Sequence, residues 1–181
     1  MKWTMILSFV LWSFVACAAN DAGSPVRTVE SVDLQRYTGT WYEITRFANS
    51  FQKKCGASKA EYALRRDGKI DVKNTCKLKS NGKLNVANAI ASVADKETNS
   101  KLKVSFVPFF NRFGLFAGDY WILDLASDYS YVLVGAPNRD FLWVLSRTPT
   151  LDANIIEALK TTAQREGFDV SKLVDSPVWK D

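Results

Sequence analysis

Short stretches in which polar and hydrophobic residues alternate dominate the chain from about residue 41 onward. The clearest runs from Lys101 to Val107, where lysine and serine alternate with three apolar side chains. Period-two alternation is typical of half-buried strands, and the turn signals Asp67-Gly68 and Asn81-Gly82 separate these stretches at hairpin spacing. Eight strands are predicted, over Trp41–Phe47, Ala60–Arg66, Lys69–Thr75, Leu84–Ala94, Lys101–Val107, Tyr120–Leu125, Tyr131–Gly135 and Phe141–Arg147.

After Pro149 the period of the apolar residues becomes that of a helix. Ile155, Leu159 and Ala163 fall on one helical face, and Gly167 supplies a stop signal. We predict one C-terminal α-helix over about residues 151–166, packed on the outer wall of the sheet, and a short edge strand after it. Because no helix separates the strands, the fold class is all-β with one C-terminal α-helix, as a barrel or a sandwich.

A tryptophan in the first strand and an arginine in the last favour the barrel. Trp41 follows Gly39-Thr40, and Arg147 ends the eighth strand. These side chains can stack only if the sheet curls until its ends meet, where a cation–π contact contributes about 0.5–2 kcal/mol. We therefore predict an eight-stranded antiparallel up-and-down β-barrel, a size that can hold one small ligand.

Residues 1–18 have the pattern of an export signal. Lys2 precedes an apolar run from Met5 to Val15, which is too short to span a membrane comfortably. The run ends in Phe14-Val15-Ala16-Cys17, which resembles a bacterial lipobox, in which Cys17 is acylated and becomes the mature N-terminus. Ordinary cleavage after Ala18 is the alternative, and both interpretations predict an exported protein.

The lipobox interpretation predicts a lipid anchor in the outer membrane, facing the periplasm. The residue after Cys17 is alanine rather than aspartate, and this favours the outer membrane. A soluble periplasmic or secreted protein is the alternative. Residues 19–31 are expected to form a tether and residues 32–176 a single barrel domain.

Export also determines how the other two cysteines are interpreted. Cys55 and Cys76 form an even pair in an oxidising compartment, so a disulfide is predicted. The chain has no histidine, which excludes histidine-based triads and nearly all catalytic zinc sites. We expect no metal site, no cofactor and no catalytic residue, and the net charge of +5 without a basic-aromatic motif does not indicate nucleic-acid binding.

Alternation along the strands predicts which side chains line the cavity. With Trp41 and Arg147 facing inward as the barrel closure, the set is mostly apolar with a few polar atoms, as in ligand pockets. The predicted lining is Thr45, Phe47, Tyr62, Leu64, Val72, Asn74, Ala89, Ala91, Val104, Phe106, Tyr120, Ile122, Val132, Val134, Phe141 and Trp143.

Two surface features leave alternatives open. The aromatic segment from Pro108 to Phe116 either gates the cavity, or dips into a bilayer, or packs over the rim. Lysine and arginine are dense between Lys53 and Lys83, and a solvated outer face of the sheet is the favoured interpretation over attraction to anionic lipid.

Together these motifs resemble the lipocalin family, specifically its bacterial outer-membrane lipoproteins. Gly39-Thr40-Trp41-Tyr42-Glu43-Ile44 is similar to the first lipocalin motif, and Asp128-Tyr129 to the second. The segment from Leu142 to Thr150 resembles the third motif in its bacterial form, and Arg165 to Val170 matches the same subgroup. The resemblance covers about residues 32–174 and implies a barrel that carries a ligand.

We therefore expect non-catalytic binding, transport or storage of a small amphiphilic lipid, a fatty acid or lysophospholipid, in the barrel at the cell envelope. One alternative is a carrier of a pigment, haem or siderophore. Another is a lipid-converting enzyme that uses a cavity thiol, for which Cys55 is the candidate; a disulfide with Cys76 would disable it. The oligomeric state does not follow from the sequence.

Overall fold

The computed structural model describes residues 23–106 and 118–180. The proposed signal segment with Cys17, and the aromatic segment from Pro108 to Phe116, lie outside the described residues. In chain order the elements are α1 (Leu34–Tyr37), β1 (Gly39–Phe47), β2 (Cys55–Leu64), β3 (Ile70–Leu78), β4 (Leu84–Val93), β5 (Lys101–Ser105), β6 (Gly118–Leu125), β7 (Tyr131–Gly135), β8 (Leu142–Ser146), α2 (Ala153–Arg165), a 3₁₀ turn (Val170–Lys172) and β9 (Leu173–Asp175).

Strands β1 to β8 form a closed antiparallel barrel. Each strand pairs with its neighbour in sequence, and β1 also pairs with β8, so the sheet has no free edge between them. β9 adds to the later half of β1, beyond the part that pairs with β2. The predicted up-and-down barrel with one C-terminal helix is therefore confirmed. We call the end with Gly39 and Arg147 the closed end; the β1–β2, β3–β4 and β7–β8 connections lie at the open end.

The wall of the barrel separates two clusters of apolar side chains. The inner cluster is built on Trp41 and inward-facing residues such as Ile122. The outer cluster lies between the barrel and α2, whose Leu159 and Ala163 are buried. Asp152 caps the start of α2 by accepting a hydrogen bond from the backbone N–H of Asn154 at 2.7 Å. Neither helix of the described residues is long and apolar enough to cross a bilayer.

A bulge in β1 determines which of its side chains face the interior. Glu43 pairs with Leu145 across β8, but Thr45 pairs with the very next residue of β8, Val144. Ile44 is therefore an extra residue in this pairing. Such a bulge reverses the inward and outward alternation for every residue beyond it.

The bulge overturns two predicted lining residues. Thr45 donates its hydroxyl to the carbonyl oxygen of Val174 in β9 at 3.0 Å, and Phe47 belongs to the outer cluster. Their predicted position in the cavity is therefore wrong, because uninterrupted alternation does not hold across Ile44. The inward position after the bulge is taken by Arg46, which lies opposite Trp143.

The predicted disulfide between Cys55 and Cys76 is confirmed, with a Cα–Cα distance of 5.5 Å. The β2–β3 register places Ser58 opposite Cys76, and an irregularity between Cys55 and Ser58 lets Cys55 reach it. The hairpin loop has three residues rather than the expected two, ending in Gly68 at φ +77°. By constraining the unfolded chain, the Cys55–Cys76 disulfide contributes about 2–4 kcal/mol to the free energy of unfolding. It also uses both cysteines of the described residues, so a thiol enzyme based on Cys55 is not supported.

Candidate functional site

Arg147 and Trp41 meet at the closed end, where they join the two ends of the sheet. The guanidinium carbon lies 3.8 Å from the centroid of the fully buried Trp41 ring. Arg147 also donates hydrogen bonds to the backbone carbonyls of Arg36, Thr40 and Tyr129, at 2.8, 3.0 and 3.2 Å. These carbonyls belong to α1, β1 and the β6–β7 turn. One side chain therefore holds three segments of the closed end together.

The first two motifs of the sequence serve the same junction. Gly39 has φ +95°, and a Cβ atom there would lie 3.2 Å from Nη1 of Arg147. Glycine is therefore favoured at this position by the positive φ angle and by the closeness of the Arg147 side chain. In the second motif, the hydroxyl of Tyr129 accepts a hydrogen bond from the backbone N–H of Asp33 at 2.9 Å, and Arg36 lies 4.0 Å above its ring.

The barrel interior is packed at some inward positions and keeps accessible surface at others. Ile122, Val132 and Val134 have no accessible surface, so the interior is packed at these positions. Val104 and Trp143 face the same interior from β5 and β8 but are only half-buried. A closed barrel whose inward side chains keep accessible surface has the form of a pocket rather than of a fully packed core.

The structure brings most of the predicted lining residues together and separates a few. Ten contribute to the interior cluster or pack against it: Tyr62, Val72, Ala89, Ala91, Val104, Tyr120, Ile122, Val132, Val134 and Trp143. Asn74 pairs with Ala60 and Ala87 on the same inward alternation, half-buried. Phe141 stacks on Trp143 at the open end, with ring centroids 5.8 Å apart.

Leu64 and Phe106 lie at the margins of the barrel rather than in its buried interior. Leu64 is the last residue of β2, beyond the Gly39–Tyr62 pair, and is 39% exposed. Phe106 follows β5 at the open end and is 46% exposed. The predicted cavity position is wrong for Leu64, because the inward alternation of β2 continues past the closed end. Phe106 belongs to the rim.

Three tyrosines form a hydrogen-bonded group above the closure. The hydroxyl of Tyr120 lies 2.7 Å from that of Tyr37 and 3.2 Å from that of Tyr62. The rings of Tyr37 and Tyr62 are stacked, with centroids 5.9 Å apart, and the ring of Tyr37 lies 5.1 Å from that of Trp41. We call these three residues the tyrosine triad.

The environment of the tyrosine triad keeps its hydroxyls protonated. Burial raises the pKa of Tyr37, Tyr62 and Tyr120 well above the ordinary phenol value, because a phenolate would lose its hydration there. The guanidinium of Arg147 opposes this increase at each of the three pKa values, by a smaller amount. The tyrosine triad is therefore a neutral donor group in a positive electrostatic field.

A buried ion pair lies on β1 beside the bulge. The side chains of Glu43 and Arg46 are 5% and 7% exposed, and Oε1 of Glu43 lies 3.0 Å from Nε of Arg46. Glu43 also accepts hydrogen bonds from Nε2 of Gln52 at 2.6 Å and from Oγ of Ser176 at 2.5 Å. Gln52, from the β1–β2 connection, in turn accepts a hydrogen bond from Nε1 of Trp143 at 3.1 Å. The connection is thereby fastened to the inward face of β1 and β8.

Sequence reasoning did not identify Tyr37, Arg46 or Gln52 as interior residues. Tyr37 precedes the first strand, so strand alternation does not include it. Arg46 faces inward only because of the bulge. Gln52 lies in a connection, where no periodic pattern assigns a direction.

The architecture and the interior define a class of small, closed barrels with one accessible internal site. The Lipocalin-like domain model matches residues 32–178. The chain belongs to the lipocalin family. This membership supports binding or transport of a small hydrophobic ligand.

Individual relatives agree with this assignment. The chain is 39% identical over 160 residues to the outer membrane lipoprotein Blc of Escherichia coli, covering 88% of this chain and 87% of the relative. It is 41% identical over 155 residues to temperature-induced lipocalin-1 of Arabidopsis thaliana, covering 84% and 82%. Lobster apocrustacyanin A1 superposes with a TM-score of 0.66 at 16% identity, covering 86% and 92%, which shows the shared fold. The resemblance to bacterial outer-membrane lipocalins is confirmed.

Proposed function

We propose that the protein binds one small amphiphilic lipid, a fatty acid or a lysophospholipid, in the barrel and carries or stores it at the cell envelope. The lipid enters through the open end by partition, and no covalent step is involved. Each methylene removed from water contributes about 0.8 kcal/mol, so burial of the tail drives binding.

The partly accessible interior is the observation that carries this proposal. Apolar side chains such as Val104 and Trp143 retain accessible surface inside a closed barrel. Exposing apolar surface to enclosed water is unfavourable, and an apolar tail removes that cost. The polar groups beside it, Asn74 and the tyrosine triad, are the kind of groups that orient a ligand in an apolar pocket.

We also propose that Cys17 is acylated and anchors the protein in the outer membrane, facing the periplasm. The name of the Escherichia coli relative, an outer membrane lipoprotein, supports this. Arg139 donates a hydrogen bond to the carbonyl oxygen of Ser24 at 2.6 Å, which holds the first described residues at the open end. Seven residues span at most about 25 Å, so the length of the chain between Ser24 and an anchor at Cys17 would keep the open end near the membrane.

The charge of the open end also supports an orientation in which the mouth of the barrel faces the membrane. Lys53 and Lys54 in the β1–β2 connection, and Lys79 and Lys83 around the β3–β4 connection, are exposed. Neither connection contains an acidic residue. Anionic lipid attracts lysines close to the membrane surface by about 1 kcal/mol each. An anchor at Cys17 and these lysines would both bring the mouth of the barrel toward the membrane that supplies the lipid.

Titration of the delipidated protein with a lysophospholipid or a long-chain fatty acid is expected to change its tryptophan fluorescence in a saturable way, at about one ligand per chain. Trp143 is the tryptophan that faces the accessible interior, so it should report binding. The measurement is emission intensity and wavelength against ligand concentration, for the protein and for Trp143→Phe.

Two controls make this titration decisive. Trp143→Phe should reduce the fluorescence change while stoichiometry, measured by equilibrium dialysis, stays the same. Trp121→Phe removes an outward-facing tryptophan and should leave the change intact. Absence of binding of both ligands in dialysis would reject the lipid-carrier proposal.

Expression of the full chain in a bacterium fed radioactive palmitate is expected to label the protein, and Cys17→Ser is expected to abolish the label and release the protein from the membrane fraction. The measurement is label and protein in membrane and soluble fractions. Cleavage after Ala18 would instead give an unlabelled, soluble protein whose N-terminal sequence begins at Ala19, and that result would contradict the anchor.

A further inference from the structure

The tyrosine triad has one hydrogen-bond donor more than it can use internally. Three hydroxyls carry three protons, and two hydrogen bonds join them, from Tyr37 to Tyr120 and from Tyr62 to Tyr120. However the protons are arranged, one O–H remains without an acceptor within the triad. The hydrogen bonds of the described residues include no further acceptor for these hydroxyls. Leaving a buried donor unsatisfied is costly, so this proton marks a place for an acceptor.

The three tyrosines differ in how far they are buried. Tyr37 is only 2% exposed, whereas Tyr62 and Tyr120 are half-buried and pack on the rim of the inner cluster. Tyr62 and Tyr120 therefore keep some accessible surface, whereas Tyr37 keeps almost none. Tyr62 pairs with Gly39 at the closed end, and the ring of Tyr37 lies against those of Tyr62 and Trp41, so the tyrosine triad lies at the floor of the barrel interior.

The electrostatics of the floor select the kind of acceptor. Arg147 supplies a positive charge close enough to act on all three phenols, and its own pKa is lowered chiefly because burial removes water from the guanidinium. The ion pair of Glu43 and Arg46 is internally compensated. A donor hydroxyl in a positive field favours an anionic oxygen over an ammonium group, and a hydrogen bond to a charged acceptor is about twice as strong as a neutral one.

We infer that the ligand enters the barrel with its polar end first, and that the one unused hydroxyl proton of the Tyr62–Tyr120 pair is donated to a carboxylate oxygen at the floor while the tail extends to Trp143 at the open end. This inference rests on the proposed lipid-carrier function and narrows it. A carboxylate brings only negative charge to the field of Arg147, whereas a phosphocholine group would also bring a quaternary ammonium there. The preferred ligand is therefore a fatty acid.

The test compares two single-chain ligands of equal length, dodecanoate and dodecyltrimethylammonium, by equilibrium dialysis at pH 8. The native protein is expected to bind dodecanoate at least tenfold more tightly. Tyr62→Phe/Tyr120→Phe removes both accessible hydroxyls and is expected to weaken dodecanoate binding about tenfold or more, which corresponds to a hydrogen bond to a charged group. Its affinity for dodecyltrimethylammonium is expected to change less than threefold.

Tyr131→Phe is the matched control. It removes a tyrosine hydroxyl from the outer cluster, on the other side of the barrel wall, so dodecanoate affinity should stay within threefold of native. Thermal unfolding of each variant verifies that the fold is retained. If the double variant unfolds, the single variant Tyr62→Phe is used with dodecanoate that carries a ¹³C label in its carboxyl group. The ¹³C NMR chemical shift of the bound carboxyl group is then expected to differ between this variant and the native protein.

The outcomes separate this inference from the carrier proposal. Equal binding of both ligands by the native protein, or unchanged dodecanoate affinity in the double variant, overturns the head-first orientation while leaving the carrier function in place. Binding of neither ligand, nor of any lysophospholipid, overturns the carrier function itself.

Discussion

Replacing Trp41 with alanine is expected to lower the free energy of unfolding by about 3–5 kcal/mol, the usual cost of removing a large buried aromatic side chain. Trp41 has no accessible surface, and it packs against Tyr37 and beneath Arg147. Its Nε1 also donates a hydrogen bond to the carbonyl oxygen of Tyr37 at 2.9 Å. Truncation would leave a cavity and an unsatisfied carbonyl at the point where the barrel closes. Urea denaturation followed by circular dichroism measures the loss.

A second cation–π pair in the molecule provides the control for Trp41. Trp121 lies on the outer wall with Nζ of Lys101 4.8 Å from its ring centroid, and it is half-buried. Trp121→Ala should therefore cost clearly less than Trp41→Ala. Arg147→Ala is expected to fall between them, because it removes three hydrogen bonds along with the ring contact. Equal losses for Trp41→Ala and Trp121→Ala would contradict a special role for the closure.

Replacing Arg46 with methionine is expected to cost about 3–5 kcal/mol, because it leaves the buried carboxylate of Glu43 without its charge partner. Methionine keeps much of the volume, so the loss reports the charge rather than a cavity. The double variant Glu43→Leu/Arg46→Met removes both charges and is expected to recover much of that stability. Urea denaturation of the two single variants and the double variant completes a mutant cycle.

The surface pair Lys103–Asp119 is the matched control for the buried ion pair. Its charged atoms lie 2.7 Å apart, but its side chains are 46% and 28% exposed. Lys103→Met should change the free energy of unfolding by less than about 1 kcal/mol, since water and salt screen an exposed pair. If Arg46→Met costs no more than Lys103→Met, the Glu43–Arg46 pair is not a structural element of the barrel.

Strand positions, the closing pair and the disulfide partners could be predicted because each depends on local pattern or on a simple requirement. Alternation identifies a strand such as β5 without knowledge of its neighbours, and Trp41 with Arg147 requires the ends of the sheet to meet. The helix Ala153–Arg165 follows in the same way from its apolar period and its stop at Gly167. The prediction of these features does not change if the position of one residue is slightly wrong.

The inward and outward assignment is more fragile. Period-two alternation carries no information about a bulge, and a shift of one residue moves every later side chain to the other face. Thr45 and Phe47 were misassigned for this reason, although both lie in a correctly predicted strand. Leu64 follows the alternation, but the alternation itself does not say where the barrel ends.

The sequence by itself determined the class of the molecule: a chain whose alternating strands and one amphipathic helix form a closed barrel of the lipocalin family. Only the tertiary structure decided the contents of the site. Tyr37 joins Tyr62 and Tyr120, and Gln52 joins Glu43 and Trp143, through contacts between residues far apart in the chain. Such contacts depend on strand register, on a bulge and on the path of a connection. Local periodicity reports none of these, because each is set by packing against the rest of the barrel.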